Sequence, residues 1–336
     1  MTKRRLTNGW ARTFERSVIA MTRMAAKAGG LAIERAVKPA ARSRTAPPGA
    51  GAWLPGVALG ATGARRFRLY VPTGIHTGER LPLMVMLHGC GQDANTFAAS
   101  TRMNRVAQRE RFLVLYPEQD RLANAQGCWD WFDTASGRAF AEVELIMKAI
   151  DQVCLLYPVD RQRVAVAGMS AGASMAALLV TRHPGRFKAL VMHSGIPPGT
   201  ANSGLSALPA MHGHRPTLPL VAVAPVGVPF HWPPLLVIHG DADAVVSPRN
   251  GRAAVQAWAD AGLAHAGEPR SVQRGQRHRM MVTDYRRGGR TLATLAAVSG
   301  LAHAWSGGAA GQAHSDARGP DASRMAWAFA ARQFKR

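Results

Sequence analysis

The sequence predicts an α/β fold: a mostly parallel sheet with helices on both faces, preceded by a basic amphipathic helix. Three observations carry this. Leu83–Leu87 (LMVML) and Arg163–Ala167 (RVAVA) are continuous apolar runs that stop at glycine or at His-Gly, as expected of strands buried on both sides. Strand-length runs alternate with helix-length segments, the order that builds a parallel sheet. The 336 residues are 47% apolar and 18% charged, with 34 Gly and 21 Pro, within the globular range and too long for a minimal domain.

In chain order, Phe67–Val71 and Leu83–Leu87 read as strands, Thr96–Glu110 as a helix and Phe112–Tyr116 as a strand stopped by Pro117. Glu142–Leu156 is a helix, Arg163–Ala167 a strand, and Ser170–Arg182 a helix stopped near Pro184. Ala189–His193 and Leu235–Ile238 are further strands. A helix at Arg252–Ala261, a strand pair at Arg279–Arg287 and Thr291–Val298, and a helix at Ala322–Phe334 complete the domain, 64–336. Residues 39–63, rich in Ala, Pro and Gly, read as a linker. Residues 197–234 interrupt the alternation and read as a cap or lid-like insertion. No apolar run is long enough for a spanning helix.

Charge sets the first segment apart. The chain carries 42 Lys+Arg against 20 Asp+Glu, and only six of the bases are Lys. Eleven bases against Glu15 and Glu34 fall in the first 45 residues. Within 1–38, Trp10, Phe14, Val18, Met21 and Met24 recur at helical spacing between arginines. Arg16, Arg23 and Lys27 break the apolar run that a secretion signal needs. Such a helix packs on the main domain, lies on a membrane or hydrophobic granule surface, or is a targeting leader or misread start. The remaining positive charge forms no aromatic-studded basic module, so nucleic acid is not an expected partner.

The chemistry starts at Gly168-Met169-Ser170-Ala171-Gly172, a G-x-S-x-G sequence between a buried strand and a helix. A sharp strand-to-helix turn exposes such a serine above the sheet and flanks it with residues too small to collide. The pentapeptide alone is weak; its strand–turn–helix context makes Ser170 the candidate nucleophile. A serine hydroxyl needs a base, and in this architecture the acid and then the histidine follow the serine along the chain. His239-Gly240-Asp241-Ala242-Asp243 follows the strand Leu235–Ile238, and His303 follows the strand Thr291–Val298. Asp243 is the preferred acid. Asp241 fits a turn-holding role through its own backbone amides. An oxyanion needs donors; the amide of Ala171 and, from the loop after Leu83–Leu87, that of Cys90 are the candidates.

With these segments in view, the sequence resembles the polyhydroxybutyrate (PHB) depolymerase family of esterases, within the α/β-hydrolase superfamily. The resemblance rests on LHGCGQDANTFAASTRMNRVAQRERFLVLYPEQ, CWDWF, RVAVAGMSAGASMAALL, HSGIP, HGDADAVVSPRNG, GLAHAWSGG and GPDAS, in family order over residues 65–335. It implies a serine carboxylic-ester hydrolase with the triad Ser170, Asp243 and His303, and Cys90 at the oxyanion site. The family includes PHB depolymerases, feruloyl esterases and acetylxylan esterases. Hydroxyalkanoate polymer or oligomer esters are the first expected substrates and cell-wall-polysaccharide esters the alternative. A non-catalytic protein coating granules or membranes is the alternative of another class.

Trp129, Trp131, Phe132 and Trp305 are candidates for walling the cleft, or for core packing. Cys90 and Cys128 are candidates for a disulfide, which fits an exported protein; Cys154 reads as a buried thiol. The resemblance suggests an extracellular or periplasmic place, whereas the basic first segment suits a cytoplasmic, granule-associated one. The insertion at 197–234 is longer than the family's usual segment, and no polymer-binding domain follows the catalytic one, which argues against attack on crystalline polymer. No cofactor or metal is expected, because the histidines lack ligand spacing. Activity is expected to fall below about pH 6 as His303 protonates.

Overall fold

The structure, a computed structural model, describes residues 49–220 and 232–335. The amphipathic helix read at 1–38, and part of the insertion at 197–234, lie outside the described residues. The strands are β1 (Ala52–Gly60), β2 (Gly63–Val71), β3 (Leu81–Leu87), β4 (Leu113–Pro117), β5 (Val159–Met169), β6 (Ala189–His193), β7 (Leu235–Gly240), β8 (His265–Ala266), β9 (Arg270–Val272), β10 (Met280–Arg287), β11 (Arg290–Val298), β12 (Trp305–Ser306) and β13 (Ser315–Asp316). The helices are α1 (Ala94–Thr101), α2 (Met103–Glu110), α3 (Arg138–Leu156), α4 (Ala171–Arg182), α5 (Gly204–Met211), α6 (Pro248–Gly262) and α7 (Ala322–Gln333).

One sheet runs β1-β2-β4-β3-β5-β6-β7-β11-β10-β8, with β9 also on β10. Its centre, from β4 through β11, is parallel. The ends are antiparallel hairpins. Every residue of β3, β4, β6 and β7 is buried, because helices cover both faces. On one face Val143 and Ile150 of α3, Leu179 of α4 and Trp258 of α6 join the core. On the other, Phe97 of α1, Val106 of α2 and Phe329 of α7 do so, and Phe112 stacks on Trp327 at 3.8 Å between ring centres. Parallel strands bring all their carboxyl ends to one edge, where such folds place their sites. Among the described residues no helix is long and apolar enough to cross a membrane.

Two sequence expectations need correction. Residues 52–60, read as linker, form β1, paired residue for residue with β2. Pro55 and Gly56 hid it; Pro55 is tolerated because β1 is an edge strand, and Gly56 leaves room for the Phe67 ring, which a Cβ would meet at 2.1 Å. The helix read over 96–110 is two helices. Asp93 caps α1, its Oδ1 accepting from Thr96 N at 2.8 Å. Arg102 then turns left-handed (φ 55°) and donates from Nη2 to Gly307 O at 2.5 Å. No Gly or Pro marks that break. The described part of the insertion contains α5, tied to the start of α6 by Asn250 Nδ2 bonds to Ala210 O (3.0 Å) and Met211 O (2.9 Å).

Candidate active site

Ser170 lies between β5 and α4 with φ 54° and ψ −124°, a conformation that strains a non-glycine residue. The glycines around it are demanded by space. A Cβ on Gly168 would sit 2.3 Å from Gly172 O, and one on Gly172 would sit 2.2 Å from Leu87 O and 2.4 Å from His88 O. The turn is thereby pressed against the end of β3. Ser170 N donates to His193 O at 2.9 Å. Its hydroxyl has no hydrogen-bond partner among the described residues.

Asp243 and His303 meet from the loops after β7 and β11. His303 Nδ1 donates to Asp243 Oδ2 at 2.8 Å, which leaves Nε2 unprotonated in the neutral ring and available as a base. The carboxylate is wholly buried. Its Oδ1 accepts from Val245 N (3.0 Å) and Val246 N (2.9 Å). His239 Nε2 stands 3.4 Å from Oδ2 and donates to Val246 O at 2.9 Å. Burial alone would raise the Asp243 pKa. The hydrogen bonds from His239 and His303, the His303 charge and the Val246 amide outweigh it and hold the carboxyl far below the usual range.

The two loops are fastened to each other. Asp241 Oδ1 accepts from Gly300 N at 2.7 Å, so Asp241 bridges to the histidine loop rather than closing its own turn. Gly240 is required where Leu301 crosses it, since a Cβ there would lie 1.9 Å from Leu301 O. The structure thus brings Asp243 and His303 into contact. It does not hydrogen-bond Ser170 to His303.

The third wall is the loop after β3. Cys90 and Cys128 are joined by a disulfide, while Cys154 is free and buried. A Cβ on Gly89 would lie 3.7 Å from the Ser170 Cβ, so this loop borders the nucleophile. The Gly89 amide donates to Gln92 Oε1 (2.9 Å) and that of Gly91 to Gln126 O (2.9 Å). The amides of Cys90 and Ala171 have no hydrogen-bond partner among the described residues.

The aromatic candidates divide. Trp129 and Trp305 are completely buried, with indole N–H groups donated to His88 O (2.9 Å) and Ser323 Oγ (3.1 Å); neither has a face for substrate in this structure. Trp131 keeps 8% exposure and packs edge-to-face on the half-buried Phe132. Sequence reasoning passed over His239 and His88. The His-Gly that follows a buried strand in both places was the available signal.

The chain is similar to known proteins. The description "Esterase PHB depolymerase" belongs to the family profile that matches residues 65–259. Poly(3-hydroxyalkanoate) depolymerase C of Paucimonas lemoignei is 30% identical over 187 residues, 54% of this chain and 44% of that protein. Feruloyl esterase B of Neurospora crassa is 27% identical over 212 residues, 58% of this chain and 69% of its own. The chain therefore spans less than half the length of that depolymerase. Among solved structures, an acetyl xylan esterase from Aspergillus awamori superposes with a TM-score of 0.60 at 19% identity, over 75% of this chain and 94% of that one, a likeness of fold. With its strand order, its serine turn and a profile match over more than half its length, the chain belongs to the PHB depolymerase family of α/β-hydrolase esterases.

Proposed function

We propose that the chain hydrolyses carboxylic esters by serine acyl transfer, with Ser170 as nucleophile, His303 as base and Asp243 as its orienting acid. The observation that carries this is the 2.8 Å bond from His303 Nδ1 to the buried Asp243 carboxylate, on the strand-end edge that also presents Ser170. His303 Nε2 takes the Ser170 proton as Oγ attacks the ester carbonyl. The amides of Cys90 and Ala171 hold the oxyanion. His303 returns the proton to the leaving alcohol, and a water then cleaves the acyl-enzyme with the same base. The free amides on both sides of Ser170 support this reading, as does the His303 tautomer.

The substrate reading is hydroxyalkanoate polymer or oligomer esters, supported by the depolymerase relative at 30% identity. The second reading, feruloyl or acetyl esters of cell-wall polysaccharide, is favoured by the feruloyl esterase relative, matched over a larger share of its length. Of the four aromatic candidates, Phe132, close to Gly204 of the inserted helix α5, is half-buried, and Trp131 keeps 8% exposure. A fluorophosphonate probe should label Ser170, and labelling and turnover of a nitrophenyl butyrate should vanish together in Ser170→Ala; a protein that takes up no probe is a binder, not an esterase. Hydroxybutyrate trimers, methyl ferulate and acetylated xylan compared at equal concentration separate the two substrate readings, the first being cleaved fastest.

A further inference from the structure

Asp243 is held inside a closed loop, residues 239–246, and the ring at the entrance of that loop is one the acyl-transfer steps do not use. His239 is the penultimate residue of β7, paired with Ala297 of β11, and its side chain is 2% exposed. Its Nε2 donates to Val246 O at 2.9 Å, tying the first residue of the loop to the last. The Val246 amide donates to Asp243 Oδ1 at 2.9 Å, and that of Val245 does so at 3.0 Å. One carboxylate oxygen is thus taken by the loop's own amides. The other, Oδ2, is left to two imidazoles, His303 Nδ1 at 2.8 Å and His239 Nε2 at 3.4 Å.

Both oxygens in front of His239 Nε2 only accept, so that nitrogen carries the hydrogen of the neutral ring. The hydrogen is shared, with the short branch to Val246 O and the long one to Asp243 Oδ2. Nδ1 is buried without a hydrogen-bond partner among the described residues. It lies against Gly251 of α6, where a Cβ would come within 2.8 Å of it and 3.2 Å of the His239 Cβ. The glycine therefore lets α6 press on the ring and fix its plane. A buried nitrogen without a partner costs free energy that a hydrocarbon side chain of similar size would not. Packing alone does not call for histidine here; the opposite edge of the ring does.

We propose that His239 is a positioning residue for the acid: its Nε2–H closes the acid loop on Val246 and sets a second donor on Asp243 Oδ2, so that the carboxylate meets His303 in one orientation and with lowered basicity. This rests on the acyl-transfer reading. The two imidazoles compete for one oxygen. Withdrawing His239 leaves more negative charge to the His303 imidazolium, so His303 should then protonate at higher pH. Among the described residues, His193 of β6 and His314, just before β13, also act on His303 electrostatically. Burial lowers both, His193 to about 3, and every variant below keeps them.

Three variants test it. His239→Leu removes the donor, and His239→Gln returns an Nε2–H at the same reach. Gly251→Ala pushes a methyl group against the ring and leaves the donor in the chain. His239→Leu should lower kcat about tenfold with KM within about threefold, and the midpoint of the acid limb of kcat/KM should rise by about half a pH unit. His239→Gln should recover at least about threefold in kcat and bring the midpoint back. Gly251→Ala should move both quantities in the direction of the Leu variant. A wild-type midpoint in His239→Leu, a midpoint shifted downward, or equal kcat and midpoint in the Leu and Gln variants overturns the proposal. If His239→Leu does not fold, an unchanged kcat and midpoint in Gly251→Ala overturns it instead. Wild-type protein that neither labels at Ser170 nor cleaves the nitrophenyl ester would refute the esterase reading itself, a failure distinct from any variant's.

Discussion

The two walls that flank Ser170 are built by different means. On the oxyanion side, the loop after β3 is stapled by the Cys90–Cys128 disulfide and backed by buried Arg65, Trp129 and Glu142. On the acid–base side, the loops after β7 and β11 share no covalent link; Asp241–Gly300 and Asp243–His303 hydrogen bonds join them, with Gly240 letting Leu301 come close. The first wall presents backbone amides whose direction matters and whose protonation does not. In the proposed reaction the second carries a proton back and forth through the His303 ring. Rigid fastening suits the one, hydrogen bonds the other.

The largest expected effect lies on the acid–base side. Asp243→Asn keeps the shape but no longer selects the tautomer with a free Nε2, and kcat should fall about 10⁴-fold; steady-state kinetics checks it. Breaking the staple is next. The disulfide spans a sequence separation of 38, and reduction, or a double Cys90→Ala/Cys128→Ala change, should cost about 3–4 kcal/mol by chain entropy. Turnover should fall with it, while the low-field proton resonance of the His303–Asp243 bond persists; loss of that resonance on reduction would mean that the walls are not independent.

Acid separates them further. Burial pushes His88 to about 4 and His193 to about 3. Both stay neutral in the fold while the unfolded chain protonates them below about 6.5. The unfolded state therefore binds more protons, and stability falls as pH drops from 6.5 towards 4, by on the order of 3 kcal/mol for His88. The depressed Asp243 acts in the lower window. Its contribution is complete above the ordinary carboxylate pKa and is lost only as pH falls below about 4. Melting temperature against pH should slope downward from 6.5, and His193→Gln should flatten that slope over the window from 6.5 to about 3. The smallest effect is Asp241→Ala, which frees Gly300 N from its exposed bridge; losing that bond, worth about 0.5–1 kcal/mol, should show as a slightly lower melting temperature.

Much of this was legible. Uninterrupted apolar runs placed β3 to β7, and the acid loop and histidine loop read after β7 and β11 are the ones that meet through Asp243 and His303, while the serine turn was read at Ser170 between β5 and α4. What failed was whatever depends on distant partners. Arg102 breaks α1 from α2 because its guanidinium reaches Gly307, 205 residues away, with no local signal. Trp129 and Trp305 look the same in sequence whether they line a cleft or fill a core, and only the bonds to His88 O and Ser323 decide. Likewise Asp241 could not reveal that its partner was Gly300.

The hidden strand β1 has a consequence for how copies of the chain meet. An open sheet offers its outermost backbone as a template on which another molecule can add. Here one border carries Pro55, which has no N–H to give, and the opposite border ends in strands of two and three residues, β8 and β9. Among the described residues, Pro55 interrupts the row of donors on one margin and the shortness of β8 and β9 limits the other, which makes both flanks poorer templates for edge-to-edge pairing.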